Sequence, residues 1–127
     1  LSLRTTRSQH LDGVRDAELV DPDAWTLDQH WMDQPGRGPI MLDLLYDYQS
    51  NIALYPRWQE WLRTSRPPVL LPWGRNDRFF PEAGARAYLA DVPDAELHLL
   101  DTGHFALDDH LAEIAGLVSD FIACHSR

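Results

Sequence analysis

Two short apolar segments separated by a helical pattern constrain most strongly what this chain folds into. The first, residues 69–71 (VLL), follows two prolines and has no polar alternation, which is typical of a strand buried on both faces of a parallel sheet. The second is residues 95–100 (AELHLL), and residues 81–91 between the two have a helical pattern. Residues 108–124 add a long amphipathic helix, which Asp108 or Asp109 is available to cap. This order predicts an α/β protein with a right-handed βαβ crossover and a trailing helix.

Two strands are too few for a parallel sheet that is covered on both faces. Such sheets normally have four or more strands, and an open apolar edge invites association. We therefore expect a second copy, or residues upstream in a longer protein, to complete the sheet. The first residue is Leu1 and not Met, so we expect either that residues were removed or that the chain is a piece of a longer one. Pro72 cannot donate to a strand ladder, so the first strand should end at Leu71 or lie at a sheet edge.

The first half of the chain is predicted to be mainly helical and is rich in aromatic residues. Residues 1–20 have no clear period and are predicted to form a loop with a helical stretch. Asp21-Pro22 is suited to begin a helix, which should end before the prolines and glycines of residues 35–39. A second helix is predicted from residue 41, and Pro56 should interrupt it, so that a third helix runs to residue 65.

A polar loop follows each predicted strand. Asp77 lies in the loop WGRND, and His104 lies in the loop DTGH. Because the carboxyl ends of parallel strands share one edge of a sheet, we expect Asp77 and His104 to lie there together. A carboxylate on one ring nitrogen fixes the imidazole tautomer, and the other nitrogen can then act as a general base. The plainer alternatives are a surface histidine, a turn aspartate, and Asp101 as a competing acid.

Residues 67–110, PPVLLPWGRNDRFFPEAGARAYLADVPDAELHLLDTGHFALDDH, resemble the C-terminal part of α/β-hydrolase-fold enzymes. The similar branch contains epoxide hydrolases, haloalkane dehalogenases and related esterases. The resemblance implies that Asp77, in a W-G-x-x-D type motif, is the acid of a catalytic triad and that His104, in a G-H-F motif, is its histidine. It implies a partial α/β-hydrolase fold: residues 1–66 as a helical cap segment and its return to the sheet, and residues 67–127 as the last βαβα of the core.

The family order of nucleophile, acid and histidine leaves the nucleophile unaccounted for. The nucleophile normally occupies a G-x-S-x-G elbow, or the same elbow with Asp, and no serine in this sequence has the flanking glycines. The resemblance thus implies hydrolysis of an ester, epoxide or carbon–halogen bond with a nucleophile that lies upstream, and this chain alone should be inactive. The alternative is a non-catalytic, truncated half-domain that acts as an oligomeric or binding module.

A pocket for a small apolar organic substrate is expected beside the two loops, because such pockets are mostly apolar. The candidate wall residues are Trp31, Tyr48, Phe79, Phe80 and Phe105. For the aromatic residues of the first half, the alternative is that they pack cap helices against the core. No cofactor is implied, and no metal site is expected, since His104 and His110 lack the i, i+4 spacing of a helical metal pair.

The charge of the chain and its single cysteine narrow its partners and location. The formal net charge is −9, whereas a nucleic-acid-binding face needs an excess of basic residues. No apolar run approaches the roughly 20 residues of a membrane span. The single cysteine, Cys124, excludes an internal disulfide, and we predict that its side chain is buried. These features favour a cytoplasmic protein that binds neither nucleic acid nor membrane.

Overall fold

The computed structural model describes residues 2–126. Helix α1 (Leu3–Leu11) and a 3-10 turn (Ala17–Leu19) precede helix α2 (Asp23–Met32) and a long helix α3 (Arg37–Ser65). Strand β1 (Leu70–Gly74), helix α4 (Glu82–Asp91), strand β2 (Glu96–Leu100) and helix α5 (Leu107–His125) follow. The order confirms the predicted α/β class and a small βαβα unit in the second half.

The two strands form a parallel pair that carries a small core. Leu71 lies opposite Leu97, and Gly74 lies opposite Leu100. Each strand has one further edge that no other strand covers within residues 2–126. The buried apolar residues come from the sheet, from α4 and α5, and from the segments beside them: Val20, Leu71, Ala85, Val92, Leu100 and Ile114.

Strand β1 runs through Pro72 and does not end at Leu71. The carbonyl of Val69 accepts from the N–H of Glu96 at 2.9 Å, and the N–H of Arg75 donates to Leu100 at 2.8 Å. Because backbone groups alternate sides along a strand, the odd-numbered residues face β2 and the nitrogen of Pro72 faces the open edge. Pro72 therefore removes no hydrogen bond from the pair, and its position at an edge agrees with the second of the two predicted alternatives.

The prediction that Pro56 interrupts the helix expected from residue 41 is wrong. Helix α3 is continuous over 29 residues with Pro56 inside it. A proline removes one intrahelical hydrogen bond, but side chains link the turns around it. The hydroxyls of Tyr48 and Tyr55 hydrogen-bond at 2.5 Å, and the ring of Tyr55 packs on Trp58, across the proline, at 5.5 Å between centroids.

Within residues 2–126, α3 included, no helix is long and apolar enough to cross a membrane.

Two predictions about helix α5 are corrected. Asp108 and Asp109 do not cap it: the residue that precedes it, Ala106, makes no side-chain cap. Both carboxylates instead bind other parts of the chain, Asp108 to His10 at 2.8 Å and Asp109 to Thr102 at 2.7 Å. Cys124 is exposed and not buried, because it lies on the solvent side of the helix's last turns.

Candidate active site

The loops that follow β1 and β2 are held against each other by their backbones. The N–H of Asn76 donates to the carbonyl of Thr102 at 3.0 Å. A Cβ on Gly74 would overlap the carbonyl oxygen of Gly103, and a Cβ on Gly103 would overlap the carbonyl oxygen of Asp12. Only glycine permits such close approaches. Gly74 therefore lets the two strand-end loops meet, and Gly103 lets the segment after α1 approach the loop after β2.

The structure brings Asp77 and His104 into direct contact. Oδ2 of Asp77 lies 2.9 Å from Nδ1 of His104. The other carboxylate oxygen, Oδ1, accepts from the N–H groups of Phe79 at 2.8 Å and Phe80 at 3.0 Å. The side chain of Asp77 is 7% exposed and that of His104 is 25% exposed. Within the described residues, the His104 side chain hydrogen-bonds only to Asp77, so its Nε2 is left available.

The electrostatics of the pair favour an ionised acid. Burial raises the pKa of the Asp77 carboxyl, but hydrogen bonds from His104 and from the N–H groups of Phe80 and Phe79 together outweigh burial and lower the pKa below its usual value. An ionised carboxylate only accepts hydrogen bonds, so Nδ1 of His104 must carry a proton and donate it. In the neutral imidazole, Nε2 then holds the free lone pair that a general base needs.

Aromatic rings surround the imidazole. The ring centroids of Phe79, Phe80 and Phe105 lie 5.0, 5.3 and 4.9 Å from that of His104. A groove of about 420 Å³ opens beside His104, and its other lining residues are Pro72, Phe105, Ala106, Leu107, Asp108 and Ile114. Three of the five predicted wall residues thus lie against the imidazole, and the groove has the mostly apolar character of a small-molecule site.

The other two predicted wall residues lie elsewhere. Trp31 packs edge-on against His30 at 5.2 Å between centroids, and Tyr48 is bonded to Tyr55 on α3. Neither lines the groove beside His104. Their sequence positions placed them in the helical first half, where nothing local indicates which face of a helix meets the strand ends.

The competing acid, Asp101, has other partners. Its Oδ1 accepts from the side-chain amide of Asn76 at 3.0 Å, and its Oδ2 lies 3.8 Å from a guanidinium nitrogen of Arg15. The same amide of Asn76 donates to the carbonyl of Gly13 at 2.9 Å. Asn76 thus ties the segment after α1 to both strand-end loops. The sequence analysis missed this role, although the place of Asn76 directly before Asp77 was a signal for it.

In comparison with known proteins, the chain is similar to proteins named hydrolases. It is 50% identical over 107 residues to a Saccharomyces cerevisiae protein named an uncharacterized hydrolase, YNR064C. It is also similar to 2-hydroxy-6-oxononadienedioate/2-hydroxy-6-oxononatrienedioate hydrolases, with 35% identity over 74 residues for one of Pseudomonas putida and 36% over 76 residues for one of Klebsiella pneumoniae. No family model and no solved structure matches the chain.

These matches confirm the family that the two loop motifs indicated. The relatives are members of the α/β-hydrolase family, and the chain is similar to them over the matched part of its length. The match to the yeast protein covers 84% of the chain but 37% of that relative, and the matches to the two bacterial enzymes cover 58% and 59% of the chain but 26% of each enzyme. The chain therefore spans well under half the length of the relatives it matches.

Proposed function

We propose that this chain is the C-terminal portion of an α/β-hydrolase and that it supplies the acid, Asp77, and the histidine, His104, of a catalytic triad. The observation that carries the proposal is the 2.9 Å contact between Asp77 and Nδ1 of His104, with Nε2 left without a partner among the described residues. His104 also lines a groove, and an acid on Nδ1 that leaves Nε2 without a partner is the arrangement that a nucleophile needs beside it.

The chemistry follows from the two ring nitrogens. Nε2 of His104 takes the proton of a serine nucleophile as that oxygen attacks, or takes the proton of a water that hydrolyses an aspartyl ester intermediate. Asp77 stabilises the imidazolium that forms in either case. The rings of Phe79, Phe80 and Phe105 reduce the access of bulk water to the imidazole, which strengthens these charge interactions.

The nucleophile and the oxyanion-binding loop are proposed to come from residues outside this sequence. The relatives are much longer than the matched region, and the sequence has no glycine-flanked serine elbow. An upstream half of the hydrolase, or a second copy, would also add strands to the open edges of the β1–β2 pair. The proposed substrate is a small apolar organic molecule with an ester, epoxide or carbon–halogen bond. The names of the two bacterial relatives add 2-hydroxy-6-oxo dienedioates to the substrates worth testing.

A chimera tests the proposal. The chain replaces the matching segment of the yeast relative, and hydrolysis of an aryl ester, a styrene-oxide-type epoxide, a haloalkane and a 2-hydroxy-6-oxo dienedioate is measured. We expect the chimera to hydrolyse at least one class, the chain alone to hydrolyse none, and His104→Ala to lower kcat at least about 100-fold. His125→Ala, which removes an exposed histidine at the end of α5, is the matched control. Full activity in the His104→Ala chimera would contradict the proposed role.

A second candidate function is a non-catalytic half-domain that associates through its open surfaces. It is favoured by the large number of exposed apolar side chains, among them Leu42, Leu45 and Tyr46 on α3. The mass of the native particle distinguishes the two functions. A stable homo-oligomer of a chain of 14.6 kDa, inactive in the chimera as well, would support the binding module. A particle that also contains the nucleophile-bearing half would support the hydrolase.

A further inference from the structure

A second histidine, His10, is buried beside the candidate site and takes no part in the Asp77–His104 pair. It lies on α1 and is 4% exposed. Its Nδ1 is 2.8 Å from Oδ2 of Asp108 on α5, and its Nε2 is 3.1 Å from Oδ2 of Asp28 on α2. Both nitrogens of one imidazole are therefore engaged by carboxylates from two different helices.

This geometry specifies the charge of the ring. Ionised carboxylates only accept hydrogen bonds, and a neutral imidazole has a single N–H to donate. Donation to Asp108 and Asp28 at once requires the imidazolium form. Arg7, also on α1, lies over the ring of Trp25 at 5.6 Å, and Trp25 itself is 6.4 Å from His10 between ring centroids. Among the described residues, Asp108 and Asp28 are the charged groups that hydrogen-bond to His10.

His10 reaches the candidate catalytic histidine through one aromatic ring. The imidazole of His10 stacks on Phe105 at 4.1 Å between centroids and 11° between planes. Phe105 in turn meets His104 edge-on at 4.9 Å and 74°. A cation over an aromatic face is attracted by the ring, so an imidazolium at His10 holds Phe105 more firmly than a neutral ring would.

The segment from His104 to the start of α5 is thereby fixed at two points by one residue. Phe105 is held by stacking, and Asp108 is held by the charged hydrogen bond. The far side of the segment is anchored by the hydrogen bond that Thr102 donates to Asp109 at 2.7 Å. Asp108 and Phe105 also line that groove.

We infer that His10, as an imidazolium clamped between Asp28 and Asp108, is a positioning residue for His104. It holds Phe105 and the first turn of α5 so that Nδ1 of His104 stays on Asp77 and Nε2 stays towards the groove. The inference rests on the proposed function for the importance of His104, but its geometry can be tested without any substrate.

The test is NMR of the histidine rings in the full chain labelled with ¹⁵N-histidine. In the wild type we expect N–H signals from both ring nitrogens of His10, as its two carboxylate partners require, and an exchange-protected Nδ1–H signal from His104. Overhauser contacts should join the ring protons of His10 to those of Phe105, and those of Phe105 to those of His104. A single N–H on the His10 ring, or the absence of these contacts, overturns the inference.

Variants separate positioning from general support of the fold. His10→Phe keeps the stacking ring but removes both ion pairs, and we expect loss of the protected His104 signal while the amide signals of Leu71 and Leu100 stay dispersed. Asp108→Asn keeps an acceptor for His10 and should restore much of the His104 signal that Asp108→Ala loses. An unchanged His104 signal in His10→Phe overturns the inference. If His10→Phe does not fold, the N–H signals and ring contacts of the wild type decide.

The outcomes also separate this inference from the proposed function. If the rings of His10 and His104 are coupled but no chimera hydrolyses any substrate, the positioning role stands and the hydrolase proposal fails. If the chimera needs His104 for turnover but His10→Phe leaves the His104 signal unchanged, the hydrolase stands and the positioning role fails. His125→Phe, at an exposed position on α5, is the control that should leave the His104 signal as in the wild type.

Discussion

The strand-end loops and helix α3 differ in how far their side chains are buried or bonded by other parts of the chain. In the loops, Asp77 and Thr102 are buried, and each side chain has a hydrogen-bond partner within the chain. Helix α3 has no buried residue, and Leu45 and Tyr46 are 66% and 76% exposed. Large exposed apolar patches mark surfaces that another molecule or segment covers. The chain thus fixes the Asp77–His104 pair internally, whereas its longest helix bonds α4 through Arg63 and Asp91 but leaves the side chains of Leu45 and Tyr46 uncovered within the described residues.

The largest expected effect comes from breaking the acid–base pair. Asp77→Asn in the chimera should lower kcat by about 10⁴-fold, because an amide can donate to Nδ1 and then favours the tautomer with the proton on Nε2. Steady-state kinetics on the chimera's best substrate measures this. The matched control is Asp101→Asn. Asp101 is a carboxylate on the same sheet edge that binds Asn76, and its replacement should leave kcat near that of the parent. A loss of less than about tenfold in Asp77→Asn would count against the triad.

The next largest effect concerns the close backbone contact between the loop after β2 and the segment after α1. Gly103→Ala places a methyl group against the carbonyl of Asp12, and we expect it to lower the free energy of unfolding by about 1–3 kcal/mol. Gly116→Ala is the matched control, because nothing lies within 4 Å of the added methyl on α5. It should raise stability by up to about 1 kcal/mol through helix propensity. Urea denaturation measures the stability of both variants. A Gly103→Ala midpoint equal to that of Gly116→Ala would show that the backbones at Gly103 and Asp12 do not pack so closely.

The difference between the two regions also explains what the sequence could predict. Asp77 and His104 stand just after apolar runs, so strand geometry alone places them at a shared edge. Predicting the contact between Asp77 and His104 required no information about other parts of the chain. The fold class and the order of elements in residues 67–126 were predictable for the same reason, since the pattern of each element is local.

Long-range contacts carry no such local signal. His10 meets Asp28 and Asp108, which lie 18 and 98 residues away in the chain, and no spacing rule links them. The same partners drew Asp108 away from the helix cap that its position had predicted. At Pro56 the local rule was outweighed by the turns on either side of it. On α3, an apolar pattern predicted the helix but not whether this chain would cover it.

The pH dependence of stability tests the contribution of Asp77 in the loop after β1. The pKa of Asp77 in the folded chain lies below that of an unfolded aspartate, which is about 3.9. Folding is therefore stabilised by its ionised form above about pH 4, and this contribution is lost as the pH falls through the folded pKa. We expect the stability difference between wild type and Asp77→Asn to shrink below about pH 4. Urea midpoints across pH 2.5–6 measure it, and a difference that grows on acidification would contradict the pKa direction.

The smallest expected effect on stability lies on α3. Leu45→Ser should change the free energy of unfolding of the chain by no more than about 0.5 kcal/mol, because the leucine is already in contact with solvent in the folded chain. Its effect should appear instead in association, as weaker self-association or weaker binding of the nucleophile-bearing half, measured by sedimentation of the same samples. A loss above about 1 kcal/mol in the unassociated chain would mean that α3 packs against the chain itself. The contrast between a self-contained site and an uncovered helix would then be lost, and with it the main structural argument that this chain works only beside a partner.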